Sequence, residues 1–211
     1  WQATGSLNLN NRLGFAERFS ATAMHSDHGQ YLQLASDALL QPTGLRGGIN
    51  YSRFNYSYSA LSGASLLPYD GRASTTGAQL SWPLARSQWD RGNLTLALDH
   101  KSNSARANGL STSDWAVNTI ALGWQVQRAL PGAVSLSHLI TWVQGQSSQR
   151  DSVAAQRDEP YLHQAGSFGK LGLQASFVKG LGSSGLTLGL SASGQIASKN
   201  LPPGEKFYVG G

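Results

Sequence analysis

Few side chains in this sequence are grouped in a way that supports chemistry. The densest group is His25-Ser26-Asp27-His28, two imidazoles three residues apart beside a carboxylate. Such a set holds a structural metal ion only where further ligands complete a shell of four. These residues occupy an expected tight turn with no third and fourth ligand nearby, so no metal is expected. His100, His138 and His163 stand singly. A serine hydrolase built around His138 would need an oriented nucleophile. The sequence has no G-x-S-x-G elbow, no phosphate-cradling loop and no H-E-x-x-H. Gly182-Ser183-Ser184-Gly185 reads as a strand-reversing turn, and Asp158-Glu159 beside Pro160 as solvated loop. With 0 Cys there is neither a disulfide framework nor a thiolate site. No catalytic, cofactor-binding or metal-ligating residues are expected, no small-molecule substrate, and the chain reads as not an enzyme.

The elements that carry these residues have an unusual composition. In 211 residues, Gly numbers 25 and charged residues make up 13%, about half the charge of an ordinary soluble protein. Apolar residues, at 40%, do not compensate, and the mean hydropathy is −0.27. This excludes a charge-rich disordered chain and disfavours a charge-laced helical bundle. No apolar run approaches the ~20 residues of a transmembrane helix. The net charge of +5 comes from 16 scattered Lys and Arg. Without a basic run, solvated surface is a better reading than a nucleic-acid partner.

Period-2 alternation dominates the chain. Leu94, Leu96 and Leu98 alternate with Thr95 and Ala97, Ile120–Val126 with Ala121, Gly123 and Gln125, and Leu171–Phe177 with Gly172, Gln174 and Ser176. The pattern predicts about ten strands, near 2–10, 17–26, 30–39, 44–57, 71–83, 93–101, 113–127, 133–144, 166–179 and 184–197. Most reach the ~9–11 residues a tilted membrane strand needs, beyond the ~5–6 usual in globular proteins. Compact links follow the odd strands. Longer polar links (57–70, 102–112, 145–165) follow most even ones. Short turns at one end and long loops at the other are the layout of a bacterial outer-membrane barrel. The fold class is therefore all-β, an antiparallel transmembrane β-barrel.

Aromatics add to this reading. Trp82, Trp124 and Phe177 lie near the short-turn ends of their strands, and Tyr56, Trp115, Trp142 and Phe168 near the opposite ends, as two interfacial belts would require. Arg46, Asn50, Asp99, Lys170 and Gln174 share the polar phase and are expected to line a wet lumen.

The C-terminal stretch Ser193-Gly194-Gln195-Ile196-Ala197-Ser198-Lys199-Asn200-Leu201, followed by Glu205 to Gly211, resembles a signature of the haemolysin-activator family, the outer-membrane transporters of two-partner secretion. Gly44–Phe54 resembles an early barrel strand of that family. Ser81–Ser87 resembles its "YPLLRS" turn and Leu98–Lys101 its "YDHK" strand end. The order and spacing of these matches cover essentially the whole chain. The resemblance implies a sixteen-strand barrel preceded by periplasmic POTRA domains. Such a barrel passes an unfolded haemolysin- or adhesin-type partner protein to the cell surface without nucleotide hydrolysis, in contact with outer-membrane lipid. By that resemblance residues 1–211 form one partial barrel domain, from about the second strand to about the eleventh. The domain ends at the start of a loop folded into the lumen. Glu205, Lys206 and Phe207 match the lead-in to that loop. The POTRA domains, the final strands and the loop's V-R-G-Y-type motif are expected outside this chain.

Ten strands of such a barrel cannot close in the parent geometry and leave two unpaired edges. The segment alone is therefore expected to need its parent, detergent or self-association, and not to transport by itself. Two other readings stay open at this point: a general porin or small self-contained barrel, and a soluble β-sandwich binding module.

Overall fold

The computed structural model describes residues 1–62, 65–150, 163–182, 185–202 and 204–206. Ten strands form: β1 (Gln2–Asn10), β2 (Arg18–Ser26), β3 (Gly29–Leu39), β4 (Arg46–Ser62), β5 (Ser65–Arg86), β6 (Asp90–Ala107), β7 (Leu110–Leu130), β8 (Val134–Gln149), β9 (Gly166–Gly180) and β10 (Thr187–Ala197). They build one antiparallel meander in which each strand pairs with its sequence neighbours, with β1 and β10 at the edges. A single continuous sheet is a barrel wall. It is not the pair of packed sheets that defines a sandwich, so the binding-module reading falls.

Residues directly opposite in the ladder share a face, so the register sorts every side chain. One face carries continuous apolar rows: Leu96–Leu122–Trp142–Leu171 and Leu94–Trp124–Ile140–Leu173. Many of these residues are half-exposed (Leu122 42%, Trp142 47%, Leu173 48%). A soluble monomer rarely leaves so large a contiguous apolar surface open. This is the outward side of the wall. On β7 its apolar residues run from Ile120 to Val126, about 20 Å of strand.

The strands overshoot that band. β5 has 22 residues and β7 has 21, about twice what a crossing needs. The links expected at 57–70 and 102–112 are instead continuing strand. β4 and β5 stay paired past Tyr58↔Tyr69, whose rings stack at 5.3 Å. β6 and β7 close through Asn108-Gly109, both at positive φ (53° and 75°), the conformation a two-residue primed turn demands. The expected sorting of loop lengths is thus replaced by a sorting of strand overhangs. They all project from the end that also carries the 150–165 connection.

At the opposite end the β1–β2 connection is organised by Glu17. Its carboxylate accepts the Leu13 and Phe15 amides at 2.6 and 3.1 Å. The Leu13 amide foremost holds that carboxyl below the ordinary glutamate range.

Candidate functional site

The inner face collects the polar phase. Asn50, Gly77 and Asp99 form one row across β4, β5 and β6. Gly77 is required there, because a Cβ would stand 2.2 Å from the Asp99 carboxylate and 2.9 Å from the Asn50 amide. Arg46 shares this face and ion-pairs with Asp37, which also accepts Arg18 at 2.9 Å. Gln174 lies in the same phase, between Leu139 and Ser193 in the register. Arg46, Asn50, Asp99, Lys170 and Gln174 share one phase of the sheet, opposite the apolar rows.

The aromatic expectation divides. Trp82, Trp124, Trp142 and Phe177 carry the outward phase, in register with Leu94, Ile140, Leu171 and Leu136. Trp115 and Phe168 do not, and neither does Tyr56. Trp115 pairs with Asn103, two residues from inward Lys101. Phe168 is two residues from inward Lys170. Tyr56 covers Gly71 from inside. Strand alternation forces the result, since two residues of equal parity share a face. Trp115 and Phe168 are only 6% and 1% exposed, packed on the face opposite the apolar rows.

What Phe168 packs against is the site. After β10 the chain folds back over the inner face. The Ser198 amide donates to the Gly169 carbonyl at 2.9 Å, and the Gly169 amide donates to Ser198 Oγ at 2.9 Å. Lys199 Nζ donates to the Ala165 carbonyl. Leu201 then enters an apolar socket of Val117 and Phe168. The Phe168 ring lies flush on Gly145, where a Cβ would come within 2.3 Å of it. Pro202 is fully buried, and the Glu205 amide donates to its carbonyl at 3.1 Å.

Glu205 closes the arrangement. Its Oε1 accepts Lys101 Nζ and its Oε2 accepts Lys170 Nζ, each at 2.5 Å. Lys170 also donates to the Glu205 carbonyl at 3.1 Å. Lys101 is on β6 and Lys170 on β9, with β7 and β8 between them. On a flat sheet three strand spacings amount to about 14 Å. The two side chains converge on one carboxylate from either side of the returning segment, so the segment lies on the face that both lysines share, opposite the apolar rows. The Glu205 side chain is 2% exposed. Burial pushes its carboxyl up, but the hydrogen bonds from Lys101 and Lys170 outweigh that and hold it below the ordinary glutamate range. A buried carboxylate between two ammonium groups, above a seated leucine, fixes this segment against the inner face. The segment is held by two ion pairs and an apolar contact, and the ion pairs depend on the charge of Glu205.

Glu205 and Lys170 were both singled out in the sequence, but their pairing was not. Lys101 closes the Leu98–Lys101 motif, which by itself gives no site role to the lysine. Lys206 is exposed beside Glu205, and Phe207 lies outside the described residues. His25 and His28 flank the β2–β3 turn, and among the described residues no cluster of three or more metal-ligating side chains forms.

A family model described as haemolysin secretion/activation protein ShlB/FhaC/HecB matches residues 1–211. Among solved structures, CdiB from Escherichia coli superposes with a TM-score of 0.79 at 18% identity, covering 95% of this chain and 38% of that one. CdiB from Acinetobacter baumannii gives 0.73 at 18% identity, covering 100% of this chain and 38% of that one. This chain therefore spans well under half the length of those structures. No curated protein gives a significant sequence match.

Proposed function

The chain belongs to the haemolysin secretion/activation family ShlB/FhaC/HecB, outer-membrane β-barrel transporters of two-partner secretion, and from that membership we propose that it walls a pore for one secreted partner protein. Residues 1–211 supply about ten strands of a larger barrel, with the overhanging hairpins on the cell surface and the short β7–β8 turn at the periplasm. The cargo is a haemolysin- or adhesin-type chain that passes unfolded along the inner face, without nucleotide hydrolysis. Segment 198–206 is the latch across that route.

The single observation that carries this reading is the Lys101–Glu205–Lys170 contact. It joins a returning segment to two non-adjacent wall strands on the polar face. A wall whose only task were small-solute diffusion would have no use for a releasable segment seated inside it. Directional export follows if the cargo folds once it reaches the surface, since folding there removes it from the unfolded pool inside. Deleting the gene tests the proposal. A large secreted protein is expected to accumulate in the periplasm and to reach the medium again on complementation. Unchanged secretion in the deletion strain would overturn the assignment.

A further inference from the structure

Above the apolar band, the outer face changes character on three adjacent strands. Arg53 on β4, Arg72 on β5 and Arg106 on β6 all carry the outward phase. One register row, His25–Gln30–Asn55–Arg72–Ser104, crosses five strands there. Arg53 stands one outward position above Tyr51 and is paired with Leu32, a half-exposed apolar residue. The cations therefore begin where the lipid-facing rows end.

The three guanidiniums line one open cavity of about 520 Å³ in the notch left by the short β2–β3 hairpin. Nε of Arg53 and Nε of Arg72 both donate to the Asn55 amide oxygen, each at 3.2 Å. One neutral acceptor shared by two cations leaves their charge uncompensated. None of the three arginines has an ion-pair partner among the described residues. Two carboxylates reach the same cavity. They are Asp27, in the β2–β3 turn, and Asp70, which stands opposite Arg106 in the register without bonding it. Three guanidiniums against two carboxylates leave the shelf net positive.

We propose that this shelf binds the phosphorylated disaccharide headgroup of lipopolysaccharide. The inference rests on the orientation given above, which places the strand overhangs outside. A planar guanidinium matches phosphate with two parallel hydrogen bonds, and it does so best where water is partly displaced. Phosphates of the outer leaflet lie immediately above its acyl chains, at the height where these arginines begin. Gln30, Asn55 and Ser104 offer the neutral donors and acceptors that sugar hydroxyls need. A firm headgroup contact on β4–β6 would fix the height of the wall from which Lys101 holds the latch.

The test is native mass spectrometry of the intact protein in detergent, titrated with diphosphorylated lipid A, dephosphorylated lipid A and phosphatidylethanolamine. The diphosphorylated lipid is expected to bind at least about tenfold more tightly than the other two. The triple variant Arg53→Gln/Arg72→Gln/Arg106→Gln is expected to lose about tenfold or more of that affinity. Its barrel is checked by heat-dependent gel mobility. Should the triple variant not fold, Arg72→Gln alone is expected to weaken binding several-fold. Equal affinity for all three lipids, or displacement of lipid A by millimolar inorganic phosphate, would overturn the headgroup assignment. Asn108→Cys, at the β6–β7 turn, separates the two layers of inference. Labelling on intact cells by an impermeant maleimide, with no preference for lipid A, sinks the lipid site alone. No labelling sinks the orientation and the lipid site together.

Discussion

Replacing Glu205 by glutamine keeps the shape of the latch and removes the charge that holds it. The carboxylate accepts one charge-assisted bond from each lysine, and such bonds are worth about 1.5–3 kcal/mol where they are shielded. Lys170 is 17% exposed and keeps most of that value, whereas Lys101, at 35%, is discounted to about 1 kcal/mol for solvent screening. The sum is about 3 kcal/mol, which at 1.4 kcal/mol per tenfold raises the undocked population of segment 198–206 about a hundredfold. Hydrogen exchange reads this directly, because the Ser198 amide is protected by the Gly169 carbonyl and the Glu205 amide by the Pro202 carbonyl. In the intact protein, exchange of the peptide spanning these amides is expected to accelerate by about two orders of magnitude in Glu205→Gln. Exchange in β7 and β8 should stay unchanged. An acceleration below about threefold would refute the electrostatic latch and leave the Leu201 socket as its anchor.

Other outcomes follow from the same contacts. Because Glu205 is held below the ordinary glutamate range, its contribution is complete at neutral pH and is lost as pH falls through that lowered value. Exchange of segment 198–206, normalised for intrinsic rate, is therefore expected to stay flat through the ordinary glutamate range and to rise only below it, and no such rise should occur in Glu205→Gln. Gly145→Ala forces a methyl against the Phe168 ring and should cost about 1–3 kcal/mol of latch docking, read by the same exchange. Gly189→Ala, with nothing within 4 Å of the new Cβ, should be silent. Leu122→Arg, at mid-band on the lipid side, should lower barrel stability in urea-controlled refolding by about 2–4 kcal/mol. Gln125→Arg, facing inward, should lower it far less.

Alternation made the ten strands legible wherever one face meets lipid and the other water. Leu94, Leu96 and Leu98 announce β6 without ambiguity. The pattern fails where the strands leave the membrane. There both faces are polar, so Ser102 and Ser104 continue a ladder that their composition no longer advertises. The Asn108-Gly109 dipeptide is the one local signal that a hairpin, and not a loop, closes at that point. The inward turn of Trp115 and Phe168 was also open to sequence reading, since Phe168 has the parity of Lys170. Position along the strand suggests a belt for these two rings, whereas phase puts them on the lysine face. The latch was beyond any local pattern: Lys101 and Glu205 are 104 residues apart in sequence. Only the return of the chain over the inner face after β10 brings them together.

The central claim is that a secreted chain travels along the inner face of this wall. Photo-cross-linking in cells measures it most directly, with a benzophenone amino acid placed singly at Asn50 and Gln174 on the inner face and at Leu173 and Leu122 on the outer. With cargo arrested in transit, adducts to the secreted protein are expected at Asn50 and Gln174 and not at Leu173 or Leu122. Adducts at the outward positions, or none at the inward ones while cargo is demonstrably arrested, would contradict the account.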